Sequence, residues 1–138
     1  IVCLILFRMC QKMVVTSEFV YAYRLNPNGI TLKARHNKKC VDHYWVMEYV
    51  LEKAKQLGLP NDELQYTLVK GHMSSLLYRR LSLQPEEVIE SAFVMACDLL
   101  GNIRPTNHVE SGRLIEKDIE KSLKTRNYKL WKLASFIV

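Results

Sequence analysis

The sequence of residues 85–101, PEEVIESAFVMACDLLG, predicts the helix around which the rest of the chain packs. Proline is favoured in the first turn of a helix, and the acidic Glu86 and Glu87 suit the positive end of the helix dipole. Residues 92–97 are apolar all round, as is typical of a helix surrounded by others. Gly101 then offers a helix end. We therefore expect a central helix in this segment.

Amphipathic helices are predicted before the central one. Residues 41–57 carry apolar side chains with a period of 3.6 residues, and Gly58 ends the pattern. A second apolar face runs through residues 61–82, with Asn61 as the expected N-cap. Gly71 lies in the middle of that helix and suggests a kink or a close helix crossing. Short connections favour antiparallel neighbours.

The N-terminal part of the chain reads as β-structure. Residues 18–25 are rich in aromatic and β-branched side chains, and residues 30–35 alternate apolar with polar. The Asn-Pro-Asn-Gly sequence at 26–29 suits a tight turn between them. Residues 1–7 are an apolar run that we interpret as a buried strand or core segment, and as a strand it could add to this hairpin. These patterns predict a half-buried β-hairpin.

Composition agrees with a globular domain. The 138 residues are 49 % apolar and 25 % charged, with 5 Gly and 4 Pro, which excludes disordered and collagen-like chains. A chain of this length buries about two-thirds of its unfolded surface. The expected fold class is α+β but predominantly helical, with the N-terminal β-hairpin packed on a bundle of about four helices. We expect a single domain over residues 1–138, with a hairpin region at 14–36 and a helical region at 41–138.

Positive charge is in excess and gathers in three clusters, at residues 33–39, 70–80 and 124–132. The chain has 20 Lys and Arg against 14 Asp and Glu, a net charge of +6 and a pI near 9.2. Cations neutralise phosphates, and aromatic faces stack unpaired bases. The aromatics near the clusters are Tyr44, Trp45, Tyr78, Tyr128 and Trp131. The predicted nucleic-acid-binding residues are Lys33, Arg35, Lys38, Lys39, Arg79, Arg80, Lys129 and Lys132. The alternative is a set of solvated helix faces with core aromatics.

The last helix supports a second hypothesis. It is predicted to begin near residues 111–113 and to run towards the C-terminus, with a break near 125–127. Its end is strongly apolar, and Leu130, Trp131 and Phe136 are the predicted contacts with a protein partner or a second copy. Such a module would be a subunit of a larger assembly. The same side chains would otherwise dock on the chain's own core.

Catalytic and metal motifs are weak. His36, Cys40 and His43 have ligand types at near-zinc spacing, but four ligands are needed and no second pair lies nearby in sequence. The acidic residues at 86–90 resemble one half of a magnesium site whose second half, E-x-x-D on a later helix, is missing. No nucleophile or phosphate-loop motif is present. We therefore expect a non-enzymatic binding protein without metal or cofactor.

Cysteine usage favours a reducing compartment. Cys3, Cys10, Cys40 and Cys97 form no C-x-x-C pair, and a core of this size needs no disulfide framework. The apolar run at residues 1–7 is too short to cross a bilayer, which takes about 20 residues. The expected location is intracellular and cytoplasmic.

Overall fold

The computed structural model describes residues 2–18, 38–75, 81, 83–110 and 112–135. Within these ranges the chain forms six α-helices, one 3₁₀ turn and no strand. The α-helices are α1 (Val2–Met9), α2 (Asp42–Gln56), α3 (Glu63–Ser75), α4 (Glu86–Ile103), α5 (Leu114–Thr125) and α6 (Tyr128–Ser135). The 3₁₀ turn, Lys38–Val41, leads directly into α2.

The prediction of an α+β fold is wrong, because the described residues are all-helical. Residues 2–7 of the apolar run, interpreted from sequence as a buried strand or core segment, are helical and belong to α1. Leu4 and Ile5 pack against the core, and Arg8, one turn on from Leu4, is also turned inward. A short apolar run cannot by itself distinguish a strand from a helix. The strands and turn of the predicted hairpin fall almost entirely on residues 19–37, which lie outside the described residues.

Helix α4 is the centre of the core, as its sequence predicts. It contacts α2, α3, α5 and α6. Phe93 is fully buried, and its ring centroid lies 5.6 Å from that of Tyr128 and 5.4 Å from that of Trp131. The side chains that α4 buries are Ala92, Phe93, Ala96, Cys97, Leu99, Leu100 and Ile103.

The turn between α2 and α3 is built by local chemistry. Gly58 has a φ of +71°, and the N–H groups of Gly58 and Leu59 donate to the carbonyls of Lys55 and Ala54. This is the glycine-ended helix stop that the sequence predicts. The N-cap of α3 is Asp62 rather than the expected Asn61, since Asp62 Oδ1 accepts the N–H of Gln65 at 3.0 Å.

Asp62 also holds α1 in place. Arg8 Nη2 donates to Asp62 Oδ2 at 2.8 Å and to the Pro60 carbonyl at 3.1 Å. The hydrogen bond from Arg8 contributes most to holding the pKa of Asp62 below its usual value.

Among the described residues, the helices are all too short or too polar to cross a membrane.

A break separates α5 from α6 where the sequence predicts one. Arg126 adopts the left-handed conformation with a φ of 53°, which ends α5. Asn127 then caps α6, because its Oδ1 accepts the N–H of Leu130 at 3.0 Å. The chain reverses here, and α6 packs back against α5 and α4.

Gly71 offers a test of the helix assignment. It is exposed within α3, and an added Cβ would meet nothing within 4 Å, so no close helix crossing requires it. Gly71→Ala should therefore raise the free energy of unfolding by about 1 kcal/mol through helix propensity. Urea denaturation measures the change. Gly58→Ala is the matched contrast and should destabilise by about 1 kcal/mol, because alanine disfavours a positive φ.

Candidate nucleic-acid interface

Three lysines form a continuous face on α5. Lys117, Lys121 and Lys124 are exposed and follow one another at spacings of four and three residues. At 3.6 residues per turn they lie within an arc of about 60° and span about 10 Å along the axis. None of the three makes an ion pair with another described residue. We call Lys117, Lys121 and Lys124 the lysine face.

Helix stability alone does not account for the lysine face. The helix dipole favours cations in the last turn, which suits Lys124 but not Lys117, the fourth residue of α5. Like charges three and four residues apart also repel by about 0.2–0.5 kcal/mol per pair. The segment 113–135 has seven basic and three acidic residues, so its net charge is +4 of the chain's total of +6. One of those acids, Glu120, is buried.

The other side of α5 is fixed in the core. Glu120, Ser122 and Leu123 are buried, and Ile119 packs against the core. The hydroxyl of Ser122 donates to the Ile119 carbonyl at 2.6 Å, so it leaves no unsatisfied polar group inside. The inward side of α5 therefore holds the lysine face towards solvent.

A half-buried ion-pair network ties α5 to α3. Lys70 Nζ binds Glu120 Oε1, and His108 Nε2 lies 3.2 Å from Glu120 Oε2. His108 Nδ1 lies 2.8 Å from both carboxylate oxygens of Glu63. The two ring nitrogens of His108 thus face two different carboxylates, those of Glu63 and Glu120. The rings of His108 and Tyr66 also meet in a T-shaped arrangement, with centroids 4.6 Å apart.

Glu120 is the centre of this network, which we call the Glu120 network and define as Lys70, Glu120, His108 and Glu63. Burial raises the pKa of Glu120, but the hydrogen bonds from Lys70 and His108 outweigh burial and leave the pKa below its usual value. A buried carboxylate without such partners would favour the neutral form. The network therefore keeps Glu120 ionised and α5 oriented.

Acid should release this network. Because the folded-state pKa of Glu120 lies below its ordinary value of 4.5, its stabilisation is complete above pH 4.5 and is lost as the pH falls further. Urea unfolding of the wild type and of Glu120→Gln at pH 6, 4.5 and 3 measures the effect. The stability difference between the two should shrink as the pH falls from 4.5 to 3. A difference that stays constant would contradict the assigned role of the carboxylate.

None of the eight cations predicted from sequence belongs to the lysine face or to the Glu120 network. Lys39 is exposed before α2, and Lys129 is exposed on α6 without an ion pair to a described residue. Lys132 Nζ binds Glu86 Oε1 at 2.5 Å and lies 5.9 Å from the centroid of the Tyr128 ring. The side chains of the remaining predicted residues lie outside the described part of the structure: Lys33, Arg35, Lys38, Arg79 and Arg80.

The three predicted partner contacts at the C-terminus differ in their burial and in whether the structure describes them. Trp131 is buried, 4 % exposed, between Phe93 and Tyr128. Leu130 is half-buried, and Phe136 lies outside the described residues. Since Trp131 belongs to the chain's own core, it could reach a partner only by leaving that core.

The weak metal motifs are not assembled in the described residues. His36 and the side chain of Cys40 lie outside the description, and the His43 ring centroid lies 5.9 Å from that of His72. Of the carboxylates considered for magnesium, Glu86 is bound by Lys132. Within the described ranges, His, Cys, Asp and Glu side chains form no group of three or more able to hold a metal ion.

The nucleic-acid-binding residues predicted from sequence include none of the three lysines of the lysine face. The first half of the last helix reads as mixed because Glu116, Asp118 and Glu120 alternate with the lysines. The i, i+4, i+7 spacing of Lys117, Lys121 and Lys124 was the available signal. The described residues thus combine an outward lysine face with the inward Glu120 network.

Comparisons of the chain with family models, with curated proteins and with solved structures find no match in any of the three.

Proposed function

We propose that the chain binds nucleic acid through the lysine face of α5. The observation that carries this proposal is the run of three exposed lysines without ion-pair partners among the described residues. Each lysine that neutralises a phosphate releases condensed counterions, and this gives affinity without sequence specificity. The protein would act as a regulatory or accessory factor and needs no catalytic group for this role.

An anionic membrane surface is a weaker fit to the same cations. An interfacial helix binds lipid by burying its apolar face among the acyl chains. Of the four apolar residues of α5, Ile119 and Leu123 are packed in the core, Ile115 is half-buried and Leu114 is 80 % exposed. The helix therefore offers charge but only one exposed apolar side chain, which suits a phosphate backbone better than a bilayer.

An exposed aromatic pair on α2 adds to the proposal. Trp45 and Tyr49, four residues apart, are 64 % and 58 % exposed, and Lys53 Nζ lies 5.5 Å from the centroid of the Tyr49 ring. Exposed aromatics beside a cation are the platform on which unpaired bases stack, at about 1–3 kcal/mol per base. Of the aromatics singled out near the basic clusters, Tyr44 and Trp131 are buried instead.

The test neutralises the lysine face without reversing its charge. Replacing Lys117, Lys121 and Lys124 together by glutamine should weaken binding to a short fluorescent single-stranded oligonucleotide on the order of 100-fold at 0.1 M salt. Fluorescence anisotropy measures the affinity. The control replaces Lys12, Lys55 and Arg113, which lie outside both α5 and the aromatic pair, by glutamine and so has the same net charge. Equal losses in both variants would contradict a defined interface, and so would no binding by the wild type.

A further inference from the structure

A small cleft beside the lysine face is lined by cations from three separate parts of the chain. Its volume is about 200 Å³, and Arg104, Lys124 and Arg126 all line it. Arg104 follows α4, Lys124 lies in the last turn of α5, and Arg126 is the left-handed residue after α5. Among the described residues, no acidic side chain lines this cleft.

The acidic partners of these arginines lie outside the cleft and are exposed. Arg104 Nη2 binds Glu110 Oε1 at 3.1 Å, and Arg126 binds Asp98. The side chains of Glu110 and Asp98 are 46 % and 51 % exposed, and pairs of this kind contribute about 0–1 kcal/mol. An anion entering the cleft can therefore bind Arg104 and Arg126 alongside these carboxylates, or displace the carboxylates, at a small cost in free energy.

The remaining walls add no negative charge. Burial raises the pKa of the Cys97 thiol to about 11, so the thiol stays protonated. Burial also raises the pKa of Tyr66, with Arg104 opposing the shift, so its phenol remains a hydrogen-bond donor. Gly101 forms part of the wall, and a Cβ added there would meet nothing within 4 Å.

We propose that this cleft holds a phosphate monoester, the terminal phosphate of a nucleic-acid strand lying on the lysine face. The inference rests on the proposed function, and Lys124 belongs to both surfaces. Pockets for drug-sized ligands occupy about 300–1,000 Å³, so this cleft suits one group rather than a whole nucleotide. A monoester carries between about 1.5 and 2 negative charges at pH 7, which matches three cations better than the single charge of an internal diester. Guanidinium groups bind phosphate oxygens in a bidentate manner.

The test compares two oligonucleotides of one sequence, one with a 5′-phosphate and one with a 5′-hydroxyl, and repeats the comparison with the phosphate at the 3′ end. The wild type should prefer one phosphorylated end by about 10-fold, the equivalent of one charge-assisted contact. Arg126→Asn should abolish this preference, and asparagine tolerates the left-handed backbone at this position. Gly101→Leu, which fills the cleft, should abolish it as well. Both variants should retain the wild-type affinity for the unphosphorylated strand to within about 3-fold.

Two controls separate this proposal from the proposed function. Arg113→Asn removes an exposed arginine outside the cleft and should keep the phosphate preference. Replacing Lys117 and Lys121 by glutamine should weaken binding of both oligonucleotides and also keep the preference. If the wild type binds both strands equally at either end, the cleft proposal is overturned and the proposed function stands.

The cleft can also be tested if no oligonucleotide binds. Titration with inorganic phosphate should then shift the amide resonances of Gly101 and Arg126 in the wild type. The same titration of Arg126→Asn should leave Gly101 unshifted. Absence of a shift in the wild type would overturn the cleft proposal independently of nucleic acid.

Discussion

Replacing Phe93 with alanine is expected to lower the free energy of unfolding by about 4 kcal/mol. Phe93 is fully buried on α4, and its ring contacts Tyr128 and Trp131 of α6. Truncation removes the burial of the ring and leaves a cavity between the two helices. The loss should therefore appear both as lower stability and as weaker docking of α6.

Two readouts separate these effects. Urea unfolding gives the change in stability, with Phe7→Ala as the control, because Phe7 is 44 % exposed on α1 and should cost about 1 kcal/mol or less. The chain has two tryptophans, so a Trp45→Phe background leaves Trp131 as the only tryptophan. In that background Phe93→Ala should shift the Trp131 emission to the red. An unchanged spectrum with unchanged stability would contradict the packing of α6 on α4.

Replacing Glu120 with alanine is expected to destabilise the chain by about 3 kcal/mol, the lower end of the range for breaking a buried ion pair. The change leaves Lys70 and His108 without their shared carboxylate. The lower figure applies because the Lys70 side chain remains 23 % exposed and can reach water. The smaller alanine side chain would also leave a small void at a position only 2 % exposed.

The comparison with Glu116→Ala tests whether burial is the cause. Glu116 lies on the same helix but is 47 % exposed, so its replacement should change stability by about 0.5 kcal/mol or less. A Glu120→Ala, Lys70→Met double-mutant cycle should show coupling between the two sites of about 1 kcal/mol or more. Equal effects at Glu116 and Glu120, or additive effects in the cycle, would contradict the Glu120 network.

Local sequence signals predicted the helical part of the fold well. The apolar run at 92–97 correctly indicated the central helix, and Gly58 correctly indicated the end of α2. The break near residues 125–127 is also confirmed by the left-handed Arg126. Each of these features depends on a few neighbouring residues, so sequence alone is sufficient to find it.

Features that depend on distant residues escaped the same reasoning. Residues 2–7 of the N-terminal apolar run lie in α1, where Leu4 and Ile5 meet a core built from later residues. His108 and Glu63 are 45 residues apart, so their contact left no local pattern. Sequence analysis treated Lys132 as a free cation, whereas in the structure it binds Glu86, which is 46 residues away in sequence. Burial and pairing of charges are tertiary properties, which periodicity cannot supply.

The salt dependence of nucleic-acid binding tests the role of the lysine face most directly. The logarithm of the binding constant for the single-stranded oligonucleotide is measured against the logarithm of salt concentration between about 50 and 200 mM. The slope for the wild type should be steeper than that for the Lys117, Lys121 and Lys124 glutamine variant by about 2 units, because each phosphate left without its lysine removes about 0.7. The Lys12, Lys55 and Arg113 variant should keep the wild-type slope. Equal slopes for the wild type and the lysine-face variant would contradict the proposed interface.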